Sequence, residues 1–276
     1  MRFLTMLLLM LYATAVKAQT TLKFDQRLID CENKWIVAAT DSSYAFGFVY
    51  LDNSAGLTLN VAGTFTQDGQ RLIPKKIDPA KVRISSTAVK VALLPSLWFK
   101  ELEITENPSW LSFFKTSDED INRLFRLGST YNQWNDPTTA LKYLNAVRKK
   151  NSKYPGLDIE FSRAFIEQKK YQRAEAYTTD AIYSVMDEKN NCNLYGNQVF
   201  SLTGGNKMDN AEEIYRHALC ECKEEVTKAE MAYNIAFQYF KLKNKEKLQY
   251  WRKEVDRWIV PISYTEKIDQ MLKQLQ

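Results

Sequence analysis

The stretch Phe165 to Ala174 reads FIEQKKYQRA, and its surroundings repeat in outline elsewhere in the chain. Counting from Pro155 as position 1, Phe161, Ser162 and Phe165 stand at 7, 8 and 11, and Tyr171, Ala174 and Ala181 at 17, 20 and 27. Stepping back 34 residues makes Ile121 position 1, and Leu124, Leu127, Gly128, Tyr131 and Ala140 then fall at 4, 7, 8, 11 and 20. Large side chains at 4, 7 and 11 recur with small ones at 8, 20 and 27, and small side chains let two antiparallel helices cross closely. Asp136-Pro137 opens the second helix of the earlier pair: an acceptor cap, then the residue whose missing N–H costs nothing at the first helical position. Ser117-Asp118-Glu119-Asp120 starts the first, with a capping side chain and acids that complement the helix dipole.

A third unit starts at Lys189, with Tyr195, Gly196 and Val199 at 7, 8 and 11. Its turn, Leu202-Thr203-Gly204-Gly205-Asn206, reads three residues longer than the pattern, after which Ala211 and Ala218 take positions 20 and 27. A fourth, from Ala229, keeps Ala236 and Tyr239 at 8 and 11 but has Leu248 where alanine is expected. Pro261 ends it, and Ile262 to Leu275 reads as a closing helix with Ile268, Met271, Leu272 and Leu275 on one face, of the kind that covers the end of a solenoid core. The units span 121–154, 155–188, 189–225 and 229–260, with the cap at 262–275. Together they resemble tetratricopeptide repeats, helix pairs of about 34 residues.

Period two replaces period 3.6 between Leu22 and Ile104. Leu57, Leu59, Val61, Gly63 and Phe65 alternate with Thr58, Asn60, Ala62 and Thr64, the pattern of a half-buried strand. Further strands are expected at 34–39, 44–51, 81–84 and 88–93, and Asp68-Gly69 between Phe65 and Leu72 is a hairpin signal. The fold class is therefore α+β: an antiparallel β sandwich or barrel-like domain over 19–106, a linker with a short apolar helix around Trp110 to Phe114 over 107–120, and an all-α repeat solenoid over 121–276. The stretch Trp35 to Phe65 resembles the leading domains of repeat-containing exported proteins of Bacteroidetes-type bacteria, a resemblance that implies no activity.

The first residues predict export. Met1-Arg2 gives a positive start, Phe3 to Val16 an apolar run, and Val16-Lys17-Ala18 a cleavage site before Gln19, making 1–18 a signal peptide and the mature chain periplasmic or secreted. The apolar run is shorter than the roughly 20 residues of a membrane span. Losing Arg2 and Lys17 takes the formal net charge from +5 to +3, too little to suggest a nucleic-acid partner. In an oxidising compartment Cys192, early in one helix of the third unit, faces Cys220 and Cys222 late in the other, so a disulfide from Cys192 to either is expected. The spacing of His217, Cys220 and Cys222 suits no metal, and none is expected.

Nothing catalytic stands out. His217 is the only histidine, and no nucleophile elbow, zinc-protease or phosphate-loop motif occurs. No cofactor is expected. The resemblance implies instead that a protein or peptide partner lies along the concave face lined by the first helix of each pair, near positions 2, 5, 9, 12 and 13. In this chain those positions hold Asn122, Phe125, Ser129, Asn132 and Gln133 in the first unit, and Arg163 and Glu167 in the second. The third contributes Asn193 and Asn197, and the fourth Tyr233, Phe237 and Lys241. Amides donate and accept along an extended backbone, and aromatics supply anchoring area. Phe125 and Ser129 stand where relatives that grip a terminal carboxylate carry Lys and Asn, so that clamp is not expected. The expected function is a non-enzymatic scaffold of the bacterial cell envelope. A glycan- or surface-binding β domain using Trp35, Tyr44 and Trp98 is the alternative, and a hydrolase the least supported.

Overall fold

The computed structural model describes residues 21–52, 54–69, 71–114, 116–182, 188–258 and 262–275. The signal peptide expected over 1–18 lies outside the described residues. The architecture is α+β, an antiparallel sheet followed by helices. The chain divides into two compact units. One holds the described residues through Leu51 with Leu57–Ile84 and Ala88–Phe113; the other holds Asp52–Gly56, Ser85–Thr87 and the chain from Phe114 onward.

The strands are β1 (Gln26–Arg27), β2 (Lys34–Ala39), β3 (Tyr44–Asp52), β4 (Gly56–Asp68), β5 (Arg71–Arg83) and β6 (Lys90–Leu93). They join in one sheet in the order β1-β6-β2-β3-β4-β5. The β4–β5 hairpin closes with Asp68 opposite Arg71, and Gly69 supplies the left-handed φ of 59° that the tight turn needs. A bulge lies between Val61 and Gly63. A Cβ on Gly63 would sit 2.8 Å from the Phe46 ring, so the missing side chain lets β4 bend over that ring. The part of β5 before Lys81 carries Pro74 and Pro79, and its sequence offers no strand signal. It forms a strand because it is the outermost one, where a lost N–H goes unused. Lys75, Lys76, Lys81 and Arg83 on the same strand discourage pairing with other chains.

Aromatic rings make the core of this unit. Trp35 meets Phe48 edge-on at 5.3 Å, and Trp110 meets Phe48 at 5.9 Å and Tyr50 at 5.2 Å. Phe65 joins Trp98 at 5.7 Å and Tyr44 at 5.3 Å. The short apolar segment Ser109–Phe113 is a 3-10 turn that docks on the sheet through Trp110.

The other unit contains nine α-helices among the described residues: α1 (Ile121–Gln133), α2 (Pro137–Lys150), α3 (Leu157–Glu167), α4 (Tyr171–Ile182), α5 (Glu188–Gly204), α6 (Met208–Glu221), α7 (Glu225–Lys241), α8 (Lys245–Val255) and α9 (Ile262–Gln274). Asp120 caps α1 by accepting from the Arg123 N–H, and Asp136 caps α2 through Thr139. Among the described residues no helix is long and apolar enough to cross a membrane.

Four pairs share one turn. Asn135, Lys169, Asn206 and Lys243 take left-handed φ values of 53°, 57°, 60° and 55°. The next N–H in each case returns to the carbonyl five residues earlier: Asp136 to Tyr131, Lys170 to Phe165, Lys207 to Leu202 and Asn244 to Tyr239, at 2.8–3.0 Å. This is a Schellman closure, which satisfies helix-end carbonyls. Because the four closures are equivalent, Leu202 occupies the place of Tyr131, Phe165 and Tyr239, which is position 11.

The closure corrects the register expected for the third unit. Counting back from Leu202 makes Cys192, not Lys189, position 1, and puts Val199, not Gly196, at position 8. The turn is of ordinary length, and the three extra residues extend the front of α5. Gly204 has a different reason to be there: a Cβ on it would strike the Tyr171 ring at 2.5 Å. Positions 20 and 27 then hold Ala140, Val147, Ala174, Ala181, Ala211, Ala218, Leu248 and Val255, all buried. The core continues to the last helix, where Ile268 and Met271 are buried against the α5–α8 side chains.

Cys192 at the corrected position 1 is bonded to Cys222, just past α6, with Cα atoms 5.0 Å apart. Of the two partners open to Cys192, Cys222 is the one used; Cys220 is free and exposed, and Cys31 is free and buried.

Candidate functional site

The first helices α1, α3, α5 and α7 follow one another and carry all twelve residues expected on the partner face. These residues fall into two groups. In the first two pairs several are tied to Glu160, which is buried at 6% exposure. Ser129 Oγ donates to its Oε1 at 3.0 Å, Arg163 donates to the same oxygen at 3.0 Å, and Asn132 Nδ2 donates to Oε2 at 2.7 Å. Asn132 also reaches the Glu160 carbonyl at 2.9 Å. This network fastens α1 to α3, since a buried carboxylate is tolerated only when its oxygens are satisfied. Asn132 is therefore a packing residue with its Nδ2 hydrogens committed, and Ser129 and Arg163 are partly so.

Phe125 is half-buried against the Tyr154 ring, 4.8 Å between centroids, and Tyr154 donates its hydroxyl to Asn122 Oδ1 at 2.7 Å. Burial pushes the Tyr154 phenol above its ordinary value. Gln133 and Glu167 are exposed at the ends of α1 and α3.

The register correction moves the third unit's residues. Asn193 stays on the face, at position 2. Asn197 goes to position 6 and turns toward the preceding pair, donating to Ser162 Oγ at 2.7 Å and the Ile159 carbonyl at 3.3 Å. In its place at position 9 stands Phe200, a bulky side chain left 38% exposed. The error of three residues hid it.

Phe237 holds position 9 of the next unit and is 39% exposed. Beside it Tyr233 stacks on Tyr264 of α9 at 4.8 Å and lies 6.4 Å from Phe237 in near-parallel planes. The Lys241 ammonium sits 4.8 Å from the Phe237 ring centroid. Tyr264 donates to Glu230 at 3.5 Å, a long bond. Burial raises the pKa of Tyr233, and burial and Glu230 raise that of Tyr264, so both phenols stay neutral donors at physiological pH. The face offered by α5, α7 and α9 is thus aromatic, rimmed by one ammonium and one carboxylate.

The rings expected to serve a sugar platform lie elsewhere. Trp35 and Trp98 are buried at 7% and 4% exposure, and Tyr44 lies between Phe24 and Phe65. Trp35 and Trp98 pack the core of the sheet, and Tyr44 is half-buried beside its ring neighbours. His217 is exposed on α6, and among the described residues no cluster of three His, Cys, Asp or Glu side chains is placed to hold a metal.

No family model matches the chain, and no curated protein matches it. Among solved structures, a tetratricopeptide repeat protein from Parabacteroides merdae is 15% identical, with a TM-score of 0.42 over 57% of this chain and 58% of that one. The chain spans less than two thirds of that protein, and a likeness of this size decides neither family nor function. The helical unit is tetratricopeptide-like by its own features: four helix pairs with one shared turn and buried residues recurring at positions 20 and 27.

Proposed function

We propose that this protein is a non-enzymatic scaffold whose repeats hold a protein or peptide along the first-helix face, chiefly on α5, α7 and α9. The observation that carries the reading is the pair Phe200 and Phe237, same-position residues of successive first helices, left 38% and 39% exposed, with Tyr233 near-parallel to Phe237 and stacked on Tyr264. Large apolar side chains kept in water cost free energy, and clustered with tyrosines they have the composition of an interface hot spot. Lys241 and Glu230 would orient the partner, while Asn122 and Gln133 could extend the contact along α1. The apolar run Phe3 to Val16 and the small residues before Gln19 support export, with the mature chain working in the envelope or outside the cell on a protein partner, not on nucleic acid or a cofactor.

The test is capture with the full chain from an envelope extract of the source cells. A partner retained by the wild type should be lost, or weakened at least tenfold, by Phe200→Ser with Phe237→Ser. Retention unchanged in a double variant that still folds would reject the face. Sequencing the mature N-terminus tests the export reading, with Gln19 as the expected first residue.

A further inference from the structure

A second feature lies on the other helices of the pairs. Between α2 and α4 runs a cleft of about 670 Å³, within the range of roughly 300–1,000 Å³ occupied by ligand sites. Its floor is Phe161, Phe165 and Tyr177, with centroids 4.8 Å (Phe161–Tyr177) and 5.5 Å (Phe165–Tyr177) apart. Its walls carry four cations, Lys142, Arg148, Lys170 and Arg173, and no carboxylate lines it.

The arginines are held in place. The Arg148 guanidinium lies 4.9 Å from the Phe161 ring centroid, and its two terminal nitrogens donate to Tyr177 Oη at 2.5 Å and Asn145 Oδ1 at 2.7 Å. Arg173 lies 5.8 Å from the Phe165 centroid, and Lys170 donates to Gln168 at 2.6 Å. The carboxylate next along α4, Glu175, is taken by Lys207 at 2.8 Å. Among the described residues none of the four cations has an ion-pair partner. Like charges gathered over an apolar floor repel one another, and an anion seated among them relieves that cost. A guanidinium stacked on a ring has already lost the freedom it would lose on binding, so its fork is ready for a carboxylate.

We propose that this cleft is a separate docking site for an acidic peptide segment, its carboxylates alternating with apolar side chains. The carboxylates would meet Lys142, Arg148, Lys170 and Arg173, and the apolar side chains the half-buried Leu141 and Tyr177. A peptide suits the cleft better than a single nucleic-acid strand. Strand binding relies on open ring faces for base stacking, whereas Phe161 and Phe165 are 1% and 8% exposed and covered by guanidinium groups.

Titration calorimetry on the full chain tests the site with three probes: the blocked hexapeptide DLEDLE, its neutral analogue NLQNLQ and a ten-residue oligothymidylate. The acidic peptide should bind at least tenfold tighter than the neutral one and weaken as salt rises. Lys142→Glu with Arg173→Glu should abolish that preference, whereas Phe200→Ser with Phe237→Ser should leave it unchanged, which separates this site from the first-helix face. If the reversal disturbs the fold, as read by circular dichroism, the exposed pair Lys142→Gln and Lys170→Gln should still weaken binding severalfold. Equal affinity for DLEDLE and NLQNLQ, tighter binding of the oligothymidylate, or full binding by the folded charge variants would overturn the proposal.

Discussion

Replacing Gly128 and Gly196 by alanine, one at a time, should move stability in opposite directions. At Gly128 a Cβ would come within 2.6 Å of Leu144 Cδ2 and 2.8 Å of its Cγ, where α1 crosses α2. Leu144 has no exposed surface and no room to retreat. Overpacking of this kind costs about 1–3 kcal/mol, against about 1 kcal/mol regained from the better helix propensity of alanine. The net is a loss of about 1 kcal/mol, or a fall in Tm of about 2–4 °C for a unit of this size. At Gly196 the added carbon would meet only Thr227 Cγ2, at an ordinary 3.5 Å. The propensity gain is unopposed there, and a rise of about 0.5–1 kcal/mol is expected. Thermal and urea melts of the full chain, followed by circular dichroism at the helical band, read both. If Gly196→Ala destabilises as much as Gly128→Ala, Gly196 stands at a close crossing, and the register counted from Cys192 is wrong. If Gly128→Ala raises the Tm, α1 and α2 are not as close as described.

Three further outcomes follow from other parts of the molecule. Burial pushes the Glu212 carboxyl up, but hydrogen bonds from Lys247, Tyr239 and Trp251 outweigh it and hold the pKa below the ordinary value. A carboxylate depressed in the folded state stabilises above its unfolded pKa of about 4.3 and loses that contribution as pH falls through the folded value. The acid side of a Tm–pH profile should therefore flatten in Glu212→Gln, and an identical profile would refute the assignment. The Cys192–Cys222 bond closes a loop of sequence separation 30, worth about 3–4 kcal/mol by chain entropy; reduction, or serine at both positions, should lower the Tm clearly, and an unmoved Tm would count against the bond. Burial pushes the Cys31 thiol up to about 11, while Cys220 is exposed. An aromatic disulfide reagent should thus find one fast thiol in the native chain and a second only on unfolding, with two fast thiols as the contrary result.

Much of the fold was legible because it is written in local periods. Alternation named β4, an Asp-Gly pair placed the β4–β5 hairpin, and spaced large and small residues marked the helix pairs. What failed did so for identifiable reasons. The proline-bearing part of β5 is unreadable because its tolerance for proline depends on lying at the edge of the sheet. The Gly-Gly pair suggested a longer turn, whereas Gly204 answers a contact with Tyr171, 33 positions earlier in the chain and invisible to any local pattern.

The face residues divide along the same line. Position in the repeat brings Asn132 and Phe237 to the same side, and the sequence by itself determines that much, since a helix of period 3.6 sends fixed spacings to fixed faces. Only the tertiary structure decides that Asn132 is spent on Glu160 while Phe237 is left in water, because burial and hydrogen-bond pairing depend on the neighbouring helix. The cationic cleft belongs wholly to that second category. Lys142, Arg148, Lys170 and Arg173 read one at a time are ordinary solvated charges; the packing of α2 beside α4 gathers them over three rings with no acid among them.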